Sequence, residues 1–217
     1  MFFQEDTILR MIEQLGMAYR RLIELFNDKE AEDELEQYLR RLTGMDRSTA
    51  KGLSVAALAD LLPPDRRLAL CELMVMETQR FAHRMENEEI LAEQRRALLL
   101  LCTIEDEEIA RLRAARAKEL FDECAELCPA ADTAPVLRFL LLGGAYADAE
   151  DVLFMQLNSY GRAEDLRALI AEGEALYGDL LRRSDEQLAS GNLPRAEVLQ
   201  GQAALAARKA AGGGDAP

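Results

Sequence analysis

The chain has no tryptophan, one histidine, four cysteines and only 6% aromatic residues, and each scarcity closes off a class of protein. With His83 alone there is little scope for a His-based nucleophile triad, and no Glu-x-x-His motif for a di-iron bundle. Cys124 and Cys128 stand one helical turn apart, a spacing that holds two metal ligands, whereas a structural zinc site takes four. With Cys71 and Cys102 they read as reduced, small apolar side chains of a cytoplasmic protein. No stretch alternates polar and apolar residues with a period of two, so strands are not expected, nor a phosphate loop following one. No window nears the roughly 18 uncharged apolar residues of a membrane span, since the dense runs 97–102 and 139–142 are far shorter. Basic residues are scarce too: 26 Lys and Arg against 40 Asp and Glu leave a net charge of −14. An acidic surface repels phosphate backbones and anionic headgroups, so neither nucleic acid nor a membrane is an expected partner. The opening Met1 to Asp6 lacks the basic stretch and apolar core of a secretion signal. No metal, cofactor or enzymatic activity is expected.

What is present is helix-forming. Hydrophobic residues make up 49% and charged residues 30%, with Ala, Leu, Glu and Arg dominant. The expected fold class is all-α, built of antiparallel helical hairpins with an amphipathic N-terminal helix. That first helix, about 5–27, carries a broad apolar arc opposite Arg10, Glu13, Gln14, Arg20, Arg21 and Glu24, where only Met17 is out of place. Within the arc Ile8, Ile12, Leu15, Tyr19, Leu22 and Phe26 alternate in steps of four and three, as in a coiled-coil seam. They form the candidate interaction surface. Two roles compete for the helix, a core helix clamped by neighbours and a self-association helix. Its mixed polar face argues against lying on a membrane.

Further helices are expected at 30–43, 55–62, 65–84, 88–102, 104–127, 134–143, 147–159, 162–190 and 194–210. Ser54 and Thr103 read as N-caps, and Gly161 as a break. The polar stretch 43–53 with its two glycines reads as a loop and boundary. The organisation is then an N-terminal segment 1–43 packing on or pairing with the core, a hairpin domain 54–210, and a disordered tail 211–217. Gly52 to Leu62 resembles the first half of a repressor-type helix-turn-helix. The following segment, with Leu68, Leu70, Leu73, Met74 and Met76, is too apolar to read a major groove.

One turn occurs twice: Gly144-Ala-Tyr146-Ala-Asp-Ala149-Glu150 and Gly191-Asn-Leu193-Pro-Arg-Ala196-Glu197. A glycine ends one helix, Tyr146 or Leu193 plugs the gap, and Ala149 or Ala196 lets the next helix pack close. The pattern resembles the turn within tetratricopeptide repeats. The separation of about 47 residues departs from the 34 of that repeat and leaves a regular superhelical groove unsupported. Gln4-Glu5-Asp6-x-Ile8-x-Arg10-Met11-Ile12-x-Gln14-Leu15 is similar to the opening of an uncharacterised bacterial family of small helical proteins, a domain of unknown function. Ala149 to Phe154 and Leu176 to Glu197 resemble its hairpin segments. The resemblance implies no activity. The functional expectation is a non-enzymatic protein-interaction or scaffold module that binds another protein or itself. The alternative is a small-molecule-sensing regulatory domain with an apolar pocket between helices.

Overall fold

The structure, a computed structural model, describes residues 2–159 and 163–212. Among them are twelve α-helices, three short 3-10 turns and no strand, so the fold is all-α. The chain divides into two compact units, Met1–Ile109 and Ala110–Pro217. The division lies in the first turn of α7 rather than at 43–53, because the N-terminal helices pack on those of the middle region. Gly161 and residues 213–217 of the expected tail lie outside the described residues; Ala211 and Gly212 close α12.

The first unit contains α1 (Phe2–Glu24), α2 (Asp28–Thr43), α3 (Arg47–Gly52), α4 (Val55–Leu61), α5 (Pro64–Phe81) and α6 (Asn87–Leu101). Its hub is α5, which packs on α6, α2 and α1 and is buried at every position from Leu68 to Thr78. Proline in its first turn suits a helix start, where an amide hydrogen is dispensable. The buried stretch includes Glu77, whose carboxylate accepts from Arg47 Nε at 2.8 Å and pairs with Lys51 at 2.7 Å. Those two cations lie on α3, in the stretch expected to be a loop. Asp46 caps that helix by accepting from the Thr49 amide at 2.7 Å, while the two glycines mark helix ends.

The second unit contains most of α7 (Glu107–Cys124), then α8 (Thr133–Leu142), α9 (Tyr146–Ser159), α10 (Ala163–Leu181), α11 (Asp185–Ser190) and α12 (Arg195–Gly212). Its hub is α10, in contact with α8, α9 and α12. Gly173 lets three helices meet, because a Cβ there would stand 2.8 Å from Leu205 and 2.9 Å from Leu153. The long helix expected over 162–190 is two helices. Ser184 starts α11 with a reciprocal cap: its hydroxyl accepts from the Gln187 amide at 3.2 Å and its amide donates to Gln187 Oε1 at 2.9 Å. The cap of α7 is Asp106, not Thr103, and accepts from the amides of Glu108 and Ile109 at 3.0 and 2.9 Å. A carboxylate is favoured over a hydroxyl at the positive end of the helix dipole. Cys124 ends α7, and a 3-10 turn, Ala125–Leu127, replaces its expected last turn.

Arginines close several helix ends where carbonyls lack partners. Arg67 donates to the Thr103 carbonyl at 2.6 Å, Arg96 to Leu53 at 2.7 Å and Arg208 to Leu157 at 2.9 Å. Arg195 donates to Arg183 and Leu181 at the end of α10. Planar guanidinium groups reach two carbonyls at once and remain charged, which suits the negative end of a helix dipole. In this acidic protein these four of the 26 basic residues are thus committed to holding helix ends.

Candidate interaction surface

The seam expected on α1 is two parallel lines. Ile8, Met11, Leu15, Ala18 and Leu22 step by three and four along one line. Leu9, Ile12, Gly16, Tyr19 and Ile23 step identically along the next; Leu25 and Phe26 continue the two spacings past the end of α1, which stops at Glu24 rather than at the expected 27. The inner line packs α1 on α5 and α2: Leu15 is 2% and Leu22 1% exposed. The outer line faces solvent, with Ile23 57% and Phe26 102% exposed. The expected surface therefore mixes both. Ile8, Leu15 and Leu22 are core, while Tyr19 and Phe26 are exposed and Ile12 is half-buried. Leu9, Gly16 and Ile23 complete the exposed line and were readable only by splitting the apolar arc at its one-residue offset.

The end of α1 is fixed by α5. Arg80 donates to the Leu22 and Leu25 carbonyls at 3.2 and 2.8 Å and pairs with Asp28 at 2.9 Å. His83 also bonds Asp28, at 2.8 Å. These contacts, the His83 hydrogen bond first and Arg80 next, hold the Asp28 carboxyl below its ordinary range. Beside this corner lies a groove of about 420 Å³, partly open to solvent and walled by Tyr19 and Ile23 of α1, by Phe26 just past its end and by Met76 of α5.

The repeated turns have a different role. Both are Schellman ends, with the Ala145 amide bonded to the Leu140 carbonyl at 2.9 Å and the Leu193 amide to Leu188 at 3.0 Å. The left-handed residue is Gly144 (φ +77°) in the first and Asn192 (φ +56°) in the second. The structural register is therefore one residue off the sequence match, and Gly191 corresponds to Gly143. Ala149 is fully buried, whereas Ala196 is exposed. The two turns meet: the Ala147 amide donates to the Gly191 carbonyl at 3.2 Å. A Cβ on Gly191 would lie 2.2 Å from the Tyr146 ring. Arg183 lies over that ring, 4.7 Å from its centre, and donates to the Tyr146 hydroxyl at 2.9 Å. Leu193 is buried beside them. These residues join the start of α9 to both ends of α11.

Nearby, the buried Tyr177 hydroxyl donates to Glu150 Oε1 at 2.5 Å. Burial pushes the Glu150 carboxyl up, opposed by this hydrogen bond, and burial also pushes the phenol up. An open groove of about 460 Å³ between α10 and α12 borders Tyr177, lined by Leu199, Gln202 and Leu205 and rimmed by the Lys209–Glu174 pair at 2.6 Å. Among the described residues, no group of three or more His, Cys, Asp or Glu side chains is placed to hold a metal ion, and no helix is long and apolar enough to cross a membrane. The Cys124 and Cys128 sulfurs are buried, 3.6 Å apart.

Fold and surface together define an all-α protein that keeps one amphipathic helix half covered. Residues 2–209 match the family described as "Family of unknown function (DUF6483)", and the chain belongs to it. No curated protein and no solved structure matches it.

Proposed function

We propose that this chain is a non-enzymatic protein-interaction module whose docking element is α1. The observation that carries the reading is the outer line, an apolar row on a helix whose other apolar row is already satisfied. Single exposed apolar residues are ordinary on protein surfaces; a periodic row beside an open groove is what a second helix packs into. The chain's net charge of −14 favours a protein partner, another chain or a second copy, over nucleic acid or a membrane surface. A cytoplasmic setting fits the cysteines, since the Cys124 and Cys128 sulfurs are 3.6 Å apart, farther than a disulfide bond. The hairpin of α8 and α9, closed by a Schellman turn, supports a tetratricopeptide-like character for the second unit, within a bacterial family of small helical proteins.

The test separates docking from folding. Ile23→Glu with Phe26→Glu is expected to leave the thermal melt unchanged, because both side chains are exposed, and to abolish recovery of partners by affinity purification. Leu15→Glu with Leu22→Glu is expected to cost about 3–5 kcal/mol or unfold the chain, as charges in a packed core do. Undiminished partner recovery by the first variant would remove the reading.

A further inference from the structure

We infer that the outer line of α1 is a self-association seam, occupied by α1 of a second copy of this chain running antiparallel to it. The inference rests on the interaction reading above and adds the identity and direction of the partner.

Gly16 sits in the middle of the line. A Cβ built on it meets nothing within 4 Å, so the chain's own packing does not call for glycine. Glycine within a helix is destabilising relative to alanine, and one role that offsets this is close approach of another backbone or bulky side chain. The line itself supplies that side chain. With a two-fold axis between Met17 and Ala18, Ile12 meets the second copy's Ile23 and Gly16 meets its Tyr19, while Leu9 comes beside its Phe26, two residues past the end of the helix. Small faces large at the centre, and every contact recurs by symmetry, as an isologous interface requires. The helical part of the paired stretch, Leu9 to Glu24, is about 24 Å long at 1.5 Å per residue. The second copy's Leu9 and Ile12 then lie over the groove walled by Ile23, Phe26 and Met76.

Charge selects the same direction. The flank of the outer line turned away from α5 carries Glu13 and Arg20, both exposed. In the antiparallel pair, residues of one flank face each other, which sets Glu13 beside the second copy's Arg20 twice over. A parallel pair in register sets glycine against glycine, leaving a void, stacks Phe26 on Phe26, and offers Glu13 and Arg20 no opposite charge. From Leu9 to Glu24 the helix carries three arginines and two glutamates, so this face is spared the repulsion that the net charge of −14 imposes elsewhere.

Sedimentation of the full chain is expected to give twice the 24.2 kDa chain mass at micromolar concentration. Glu13→Arg and Arg20→Glu are each expected to weaken the dimer by about tenfold, and the double variant to restore most of that loss. Mild oxidation of the Ile12→Cys, Ile23→Cys double variant is expected to link position 12 to position 23 between copies, with neither single variant nor the wild type linking at these sites. Links of 12 to 12 or 23 to 23 would overturn the antiparallel arrangement. A monomer throughout the micromolar range would overturn self-association. In that case, partner recovery abolished by Ile23→Glu with Phe26→Glu leaves the interaction reading standing, and unaffected recovery removes both.

Discussion

Glycine acts in this chain mainly through the hydrogen it has in place of a side chain. Gly201 lies inside α12, where alanine ordinarily stabilises a helix by about 1 kcal/mol. Here a Cβ would stand 2.1 Å from both Glu150 Oε1 and the Tyr177 hydroxyl. Gly201→Ala is therefore expected to reverse the usual sign and cost about 1–3 kcal/mol, the range for leaving a buried polar group without its partner. Gly16→Ala is the matched control. Its Cβ has open space, so at dilutions where the chain is monomeric it is expected to gain up to about 1 kcal/mol. Urea midpoints of the two variants check both, and a stabilised Gly201→Ala would sink the account of the Glu150–Tyr177 contact.

The helices hold together through contacts between elements that a linear reading handles unequally. Glu77 on α5 anchors α3 through Arg47 and Lys51, one helical turn apart. Glu77→Gln leaves those cations without their buried counter-charge and is expected to cost about 2–4 kcal/mol. Amide exchange should speed up across Arg47–Gly52 more than across α4, and equal protection of α3 would refute the anchor. The same pair shows why 43–53 reads as a loop in the sequence. A six-residue helix has too few apolar positions to display a period, and what stabilises it sits thirty residues away. Longer helices, α1, α2, α5 and α9, are legible because apolar residues recur along them over several turns. The break between α10 and α11 is legible in hindsight, since Ser184 and Gln187 have capping-box spacing, but the apolar pattern runs through it. On α1 the apolar arc is readable and its division is not. Whether Leu22 or Ile23 faces the core depends on where α5 lies, which no local spacing encodes. The repeated turn misleads by one residue for a related reason. Gly191 is selected by the approach of Tyr146, whereas the left-handed conformation falls to Asn192, a residue that tolerates it.

At the scale of the whole molecule, two carboxyls respond to acid in opposite directions, one in each unit. Asp28 is held below its ordinary range by His83 and Arg80, so its contribution is present at neutral pH and lost as pH falls through its lowered value. Glu150 is pushed up by burial, so its ionised form is penalised at neutral pH, and the penalty is released as pH falls through its raised value. Stability is therefore expected to rise first on acidification, through Glu150, and to fall further down, through Asp28. Glu150→Gln keeps an oxygen to accept from Tyr177 without the buried charge. It is expected to be more stable than wild type at neutral pH and to lose part of the early rise, the remainder belonging to Asp148, whose carboxyl burial also pushes up. Asp28→Asn is expected to be less stable at neutral pH, with a shallower loss at the acid end. Urea midpoints between about pH 7 and pH 3, spanning the ordinary carboxyl range, separate these curves. An unchanged early rise in Glu150→Gln would assign that response to another of the forty acidic side chains, and the Tyr177 contact would then owe nothing to the charge of Glu150.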